Sequence, residues 1–170
     1  MNKLIALVIF VSTFTFAKSQ DNHSLTNTKT IPSVQLKDID GNLVNTSELG
    51  FNGPIVFSFW ATWCSPCKRE LNTINDLYID WQEETGVTLV AVSIDDEKTK
   101  NQVPLYVNGK AWDFKVLLDP NGDFKRAMGV NNVPHTFLVN ANGEIVYSHN
   151  NYAPGDEEVL YEEILKLSQH

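Results

Sequence analysis

Residues 59–68 read FWATWCSPCK, and this stretch contains both cysteines of the chain, Cys64 and Cys67. Such a pair could serve as a structural disulfide, a metal ligand set or a redox couple. A disulfide between residues three positions apart closes a very short loop, so it removes little conformational freedom from the unfolded chain. The spacing is therefore poorly suited to structural stabilisation.

Metal binding is the main competing chemistry for these thiols. A structural zinc site needs four ligands, commonly two cysteine pairs or a cysteine pair with a histidine pair. The other candidate ligands are four histidines without paired spacing: His23, His135, His149 and His170. We therefore expect no metal and favour redox chemistry, with copper held by both thiols and His135 as an alternative.

The segments around the cysteine pair predict a βαβ unit. Residues 55–60 (IVFSFW) and 87–94 (VTLVAVSI) are nearly continuous apolar runs, as expected for parallel strands covered on both faces. A helical pattern of roughly twenty residues separates them. Because open α/β sheets bind ligands at the carboxyl ends of their strands, the cysteine pair is predicted to lie at a functional edge.

The predicted helix begins at Cys64, with Pro66 in its first turn. The free N–H groups of that turn favour a thiolate on Cys64, and Cys67, one turn deeper, is suited to resolve a mixed disulfide. Helical periodicity places Glu70 on the inward side. It also assigns an apolar stripe to that side: Cys67, Leu71, Ile74, Leu77, Tyr78 and Trp81.

The rest of the chain is patterned as a compact α/β domain. A hairpin is predicted around Asp40-Gly41 and a second around Asn142-Gly143. A final helix is predicted with Asp156 as its N-cap and Leu160, Ile164 and Leu167 as its apolar stripe. Further elements are predicted as a helix near 103–106, a strand at 114–118, a helix at 123–128, and strands at 135–140 and 144–149.

The amino terminus indicates export. One positive charge at Lys3 precedes an uncharged apolar and hydroxylic run over 4–17, followed by small residues, which is typical of a secretory signal peptide. We predict a signal peptide at 1–19, a flexible leader at 20–30 and one domain at 31–170. Retention of the signal segment as an N-terminal membrane anchor is the alternative.

Composition excludes one class of partner. The chain has 170 residues and a formal net charge of -8. It therefore offers no basic face to a phosphate backbone, and nucleic-acid binding is not expected.

These motifs together resemble the thioredoxin superfamily. The resemblance rests on WCSPCK after the strand IVFSF, on Val133-Pro134 before the strand HTFLV, and on Asn142-Gly143 after it. It covers about residues 31–170. The export signal, the N-terminal hairpin and a long segment at 95–132 look like the TlpA/ResA-type extracytoplasmic thiol–disulfide oxidoreductases. The resemblance implies an α/β, thioredoxin-like fold: a central mixed sheet flanked by helices, with an N-terminal β-hairpin and an inserted helix–strand unit.

The resemblance also implies an activity and partners. We expect a thiol–disulfide oxidoreductase that reduces envelope proteins, such as apocytochrome c, through a redox-active disulfide between Cys64 and Cys67. Its expected partners are disulfide-bearing envelope proteins and an upstream membrane thiol electron donor. A monomer without a cofactor is expected.

Further site residues follow from the family pattern. The Val133-Pro134 bond is expected to be cis and to face the thiols, so that Val133 and Pro134 contact substrate. Trp63, next to Cys64, is expected to shield the thiols and line the docking surface, because aromatic side chains exclude water. The buried aspartate of cytosolic thioredoxins is replaced by Ser58. Glu70 matches a glutamate of ResA-type reductases, and we expect it to have a raised pKa and to move protons to or from Cys67. The ring of His135 could face the thiols or point away.

Three other functions remain open at this point. A thiol peroxidase would share the inserted helix–strand unit, but the Pro-x-x-x-Thr-x-x-Cys motif is absent because Pro54 lies too far from Cys64. A copper chaperone could use the same thiols as ligands. A non-catalytic binding module is weakened by the intact cysteine pair.

Overall fold

A computed structural model of the chain describes residues 29–50 and 52–168. The described residues form, in chain order, β1 (Gln35–Asp38), β2 (Leu43–Asn45), β3 (Ile55–Trp60), α1 (Ser65–Thr85), β4 (Thr88–Ser93), α2 (Gln102–Lys110), β5 (Lys115–Leu118), α3 (Asp123–Met128), β6 (His135–Val139), β7 (Ile145–Asn150) and α4 (Asp156–Ser168). Within these ranges, no helix combines the length and the apolarity needed to cross a membrane.

The strands form one mixed sheet in the order β2-β1-β5-β4-β3-β6-β7. β3, β4 and β5 are parallel, and β1, β6 and β7 join this centre through antiparallel pairings. The predicted mixed sheet, the N-terminal hairpin of β1 and β2, and the inserted unit of α2 and β5 are all confirmed. The carboxyl ends of the three parallel strands share one edge of the sheet, and the cysteine pair follows β3 at that edge.

The central strand β3 is apolar because it is covered on both faces. Phe57 and Phe59 are fully buried on one face, where both rings pack against Phe124 of α3 at centroid distances of 5.5 and 5.3 Å. Side chains alternate between the faces of a strand. Val56 and Trp60 therefore join the other cluster, which includes the inward side of α1.

Helix α1 follows from its end signals and its apolar stripe. Cys64 is the N-cap, Pro66 lies in the first turn, and Gly86 ends the helix with φ of 69°, donating its N–H to the carbonyl of Gln82. This left-handed conformation favours glycine. The stripe is confirmed apart from Leu77, whose predicted inward position is wrong because it remains 37% exposed.

Helix α4 packs against α1 and brings its acidic amino terminus close to that helix. Leu160 and Ile164 are buried as predicted, and the ring of Tyr161 stacks on Trp81 at 5.1 Å. Asp156 is the first residue of α4 and its carboxylate accepts a hydrogen bond from the Ala153 N–H at 2.6 Å. The prediction of Asp156 as the N-cap is therefore wrong by one position, because the helix already includes this residue and its carboxylate accepts a backbone donor before the helix rather than one in its first turn.

The predicted signal peptide at 1–19 and most of the leader at 20–30 lie outside the described residues. The last two leader residues are an exception to the predicted flexibility. Thr30 forms a β-bridge with Glu144, and the carbonyl of Lys29 accepts a hydrogen bond from the Ile145 N–H at 2.8 Å. The ordered domain therefore includes residue 29, because β7 holds this segment.

Candidate active site

The cysteine pair occupies the amino terminus of α1 as a disulfide, with the two Cα atoms 5.4 Å apart. Cys64 has an extended backbone (φ −88°, ψ 103°), and the Cys67 N–H points at its sulfur with an N···Sγ distance of 3.3 Å. The first four N–H groups of a helix have no intrahelical acceptor. A sulfur at the N-cap supplies one, and the interaction strengthens when that sulfur is an anion.

The two cysteines differ in their access to solvent. Cys64 is 4% exposed, whereas Cys67 is completely buried. The neighbouring Trp63 is 62% exposed, which is unusual for a residue of its size. Of the two cysteines, only Cys64 therefore keeps any exposed surface, and a large exposed aromatic side chain lies beside it.

The loop before β6 faces the same sulfur. The Val133-Pro134 bond is cis, as expected. The carbonyl oxygen of Val133 lies 3.8 Å from Sγ of Cys64. The carbonyl of Pro134 accepts a hydrogen bond from the Asn151 N–H at 3.0 Å, which ties the loop to the end of β7. Within the described ranges, no group accepts a hydrogen bond from the Val133 N–H.

A buried carboxylate that the sequence reasoning missed holds the loop before Cys64. Asp95 is 1% exposed and accepts hydrogen bonds from the N–H and hydroxyl of Thr62 at 2.8 and 2.5 Å. The hydroxyl of Ser93 donates a third at 2.8 Å. Asp95 follows β4 at the carboxyl edge of the sheet, and that placement after a buried strand was the available signal.

Glu70 points inward from α1, as predicted. It is 4% exposed, and its Oε1 accepts a hydrogen bond from the Thr136 hydroxyl at 2.7 Å. Loss of hydration raises the pKa of Glu70 from 4.5 to about 7. The Thr136 and Ser58 hydroxyls act to lower this pKa, whereas the charges of Asp156 and Glu157 act to raise it.

The carboxyl group of Glu70 lies near Ser58, the residue that stands where cytosolic thioredoxins have a buried aspartate. The Ser58 hydroxyl is close enough to this carboxyl to lower its pKa, but the two groups do not meet in hydrogen-bond geometry, so Oε2 of Glu70 and Oγ of Ser58 both lack a hydrogen-bond partner among the described residues. The acidic group thus enters this part of the core from α1 rather than from β3. Cys67 and Glu70 are three residues apart, so they lie on the same side of the helix.

The ring of His135 lies on the other face of the sheet. Thr136 faces α1, so its neighbours His135 and Phe137 project to the opposite face. The His135 ring stacks on Phe137 at 4.2 Å, and its Nε2 lies 2.9 Å from the Ser148 hydroxyl oxygen. Burial lowers the pKa of His135. Of the two orientations considered, the structure shows the one pointing away from α1.

In the described part of the chain, no group of three or more histidine, cysteine, aspartate or glutamate side chains is arranged to hold a metal ion. The chemistry that the site offers is that of the two sulfurs, the first-turn N–H groups of α1 and the buried carboxyl of Glu70.

This sheet, with a Cys-x-x-Cys disulfide at a helix amino terminus and a facing cis-proline, defines a thioredoxin-fold thiol–disulfide oxidoreductase. The chain belongs to the AhpC/TSA family, whose model matches residues 28–148. It is 35% identical over 147 residues to the thiol-disulfide oxidoreductase ResA of Oceanobacillus iheyensis, covering 82% of this chain and 74% of that protein. ResA of Halalkalibacterium halodurans is 31% identical over 132 residues, covering 78% and 71%.

Solved structures support the same assignment. A thioredoxin-like protein from Porphyromonas gingivalis is 46% identical with a TM-score of 0.72, covering 82% of this chain and 92% of that one. A Chlorobium tepidum protein assigned as the thiol:disulfide interchange protein DsbE is 27% identical with a TM-score of 0.74, covering 82% and 96%. The predicted fold and oxidoreductase class are therefore confirmed.

Replacing Glu70 with glutamine is expected to change how stability depends on pH. Above pH 4.5 the unfolded chain ionises at this position while the folded protein keeps the proton up to about pH 7. The contribution of Glu70 to wild-type stability therefore falls over this interval, by roughly 3 kcal/mol. Urea unfolding of the oxidised proteins at about pH 4 and about pH 8 measures the difference, and Glu70→Gln should lack this loss.

The control for this experiment is Glu83→Gln, which removes an exposed carboxylate from the same helix. It should follow the wild-type pH dependence. Identical pH dependence for wild type and Glu70→Gln would show that the carboxyl is not held in its neutral form by burial.

Proposed function

We propose that this protein reduces disulfide bonds of exported proteins, with Cys64 as the attacking thiolate and Cys67 as the resolving thiol. The observation that carries this proposal is the asymmetry of the pair. The Cys64 sulfur is at the helix amino terminus beside the Val133 carbonyl, while Cys67 is fully enclosed. A nucleophile needs access and a stabilised anion, whereas a resolving thiol needs only to reach its partner.

The reaction proceeds in two exchanges. The Cys64 thiolate attacks one sulfur of the substrate disulfide, forming a mixed disulfide and releasing the other substrate sulfur as a thiolate. Cys67 then loses its proton and attacks Sγ of Cys64. The bond between Cys64 and the substrate breaks, the second substrate sulfur leaves with the electron pair, and the Cys64–Cys67 disulfide remains.

Glu70 is proposed to handle the proton of Cys67. The resting dithiol keeps this proton, but the second exchange requires its removal. A carboxyl with a pKa of about 7 can accept and return a proton near neutral pH, which an ordinary glutamate does poorly. Its position one turn after Cys67 on the same buried side of α1 supports this role.

Substrate is proposed to bind along Trp63, Val133 and Pro134. Trp63 offers an exposed aromatic surface next to Cys64. The Val133 N–H lacks a partner in the described part of the chain, and its carbonyl faces the sulfur. An extended substrate segment could pair with this backbone as an added strand does, which would place its disulfide beside Cys64.

The direction of electron flow, the cellular location and the partner proteins are proposed from the sequence and the named relatives. The amino-terminal pattern of the chain supports export to the periplasm or cell envelope, with the segment either removed or retained as an anchor. The similarity to the thiol-disulfide oxidoreductases named ResA supports disulfide exchange as the chemistry. The export pattern supports envelope proteins as substrates, of which apocytochrome c awaiting haem is one candidate. An upstream membrane thiol donor would regenerate the dithiol of a monomeric enzyme.

The order of the two exchanges is tested with a matched pair of variants. Cys67→Ser should accumulate a mixed disulfide with a peptide that carries one intramolecular disulfide, because the resolving thiol is missing. Cys64→Ser should accumulate little, because the remaining sulfur is buried. Non-reducing electrophoresis and intact-mass measurement detect the adduct. Trapping by Cys64→Ser but not by Cys67→Ser would reverse the two roles.

The direction of electron flow is tested by the reduction potential of the Cys64–Cys67 pair, measured by equilibration with defined thiol buffers. A reductase should lie nearer the value of thioredoxin, about −270 mV, than that of the strong oxidant DsbA, about −120 mV. A value near the latter would make the protein a disulfide donor.

A further inference from the structure

A small cavity of about 10 Å³ lies between α1, the strands β6 and β7, and α4. This is about the smallest volume that accommodates one water molecule. Its polar lining comes from Glu70, Thr136, Tyr147, His149, Asp156 and Glu157. The cavity is separate from the Cys64 surface and lies on the side of Glu70 that faces α4.

Glu70 brings an unsatisfied oxygen to this region. Its Oε1 is engaged by the Thr136 hydroxyl, but its Oε2 is buried and has no hydrogen-bond partner among the described residues. With the side chain 4% exposed, bulk water has almost no direct contact with this carboxyl. Because Glu70 also lines the cavity, its carboxyl is available to receive or release a proton through it.

Two further titratable groups, His149 and Asp156, line the same cavity and are partly exposed to solvent. Nε2 of His149 lies 3.1 Å from Oδ2 of Asp156, and the two side chains are 36% and 30% exposed. Imidazole can accept a proton at one ring nitrogen and release one at the other. Asp156 is fixed in place because it also accepts the Ala153 N–H.

The surroundings of Glu70 contain more acids than bases. Its own helix contributes Cys67, β3 contributes Ser58 and β6 contributes Thr136. The remaining titratable groups near it are Tyr147 and His149 from β7, Tyr152 from the following loop, and Asp156 and Glu157 from α4. Of these groups His149 alone can carry a positive charge, so it is suited to accept a proton leaving this acidic region.

We propose that the His149–Asp156 pair and the cavity form the route by which protons pass between Glu70 and solvent. The proposal rests on the proposed function, in which Glu70 receives the Cys67 proton during the second exchange. That proton then leaves the carboxyl of Glu70 and crosses the cavity to the carboxylate of Asp156 or to the unprotonated ring nitrogen of His149, whose Nε2–H is donated to Asp156, and it is released to bulk water. It returns by the same path when the Cys64–Cys67 disulfide is reduced and Cys67 again needs a proton.

The route has a physical advantage during turnover. A bound substrate covers the Cys64 side of the site, so water cannot reach Glu70 from there. The cavity opens toward α4, away from the predicted substrate surface of Trp63 and Val133. Protons can therefore exchange while the mixed disulfide is in place.

The test measures how fast Glu70 gains its proton in the oxidised full-length protein. A photoacid lowers the pH within one laser pulse, and time-resolved infrared spectroscopy follows the C=O stretch of the protonated carboxyl. The band that disappears in Glu70→Gln belongs to Glu70. In His149→Ala this band should grow about 100-fold more slowly than in wild type, the lower end of what a positioned proton carrier contributes. Added imidazole should restore the rate in this variant.

Two further variants separate proton transfer from structural effects. Asp156→Asn keeps an oxygen for the Ala153 N–H but cannot carry a proton, so the band should also grow more slowly in this variant. Glu158→Gln removes one exposed carboxylate from the same turn of α4 and should leave the rate unchanged. The route would be overturned if the band grew at the wild-type rate in both His149→Ala and Asp156→Asn. It would also be overturned if the band grew slowly in His149→Ala and added imidazole did not restore the rate.

The route and the proposed role of Glu70 can fail separately. The infrared measurement uses the oxidised protein, in which neither cysteine titrates. The role of Glu70 is read instead from the thiolate absorbance of the reduced protein. Unchanged cysteine titration in Glu70→Gln would remove that role while leaving the measured proton route intact.

Discussion

The amino terminus of α1 is the constraint on which the site depends. The chain leaves β3 at the carboxyl edge of the sheet, and the helix begins at once with Cys64 as its cap. The Cys67 N–H then has the Cys64 sulfur as its acceptor at 3.3 Å. A helix terminus alone contributes about 0.3–1 kcal/mol, less than the ~1.4 kcal/mol of one pKa unit. The direct N–H contact must therefore supply much of any stabilisation of a thiolate.

The same helix also sets the positions of the other groups. Cys64, Cys67 and Glu70 recur every three residues, so one side of α1 carries both sulfurs and the buried carboxyl, with Cys67 the most deeply buried of the three. Asp95 fixes the loop that precedes Cys64 through Thr62, and the cis Val133-Pro134 loop closes the other side. The start of α1 is thus flanked on two sides at the sheet edge.

Sequence periodicity predicted most of this arrangement because its signals are local. The apolar run of β3, the helix start marked by Pro66 and the inward position of Glu70 each depend on neighbours within one element, and all three are confirmed. Leu77 was misplaced because the helical stripe is wider than the surface that α4 and the sheet cover. Asp95 was missed because Thr62, the partner that connects it to the site, is 33 positions away in sequence.

The orientation of His135 and the cavity at α4 were likewise beyond sequence reasoning. The first depends on which face of β6 each residue takes, and a shift of one residue reverses the outcome. The second depends on how α4 docks against α1 and β7, which brings Asp156 and His149 to Glu70 from distant parts of the chain. Packing between elements decides both.

The central claim is that the Cys64 sulfur of the reduced protein is held as an anion by the helix amino terminus. It is tested most directly by the rate of iodoacetamide alkylation of Cys64 as a function of pH, with the urea-unfolded protein as reference. The account predicts that folded Cys64 reacts faster than the unfolded thiol at neutral pH and that its thiolate forms at lower pH. Equal or slower alkylation, with a titration at the pH of an unstructured thiol, would contradict it.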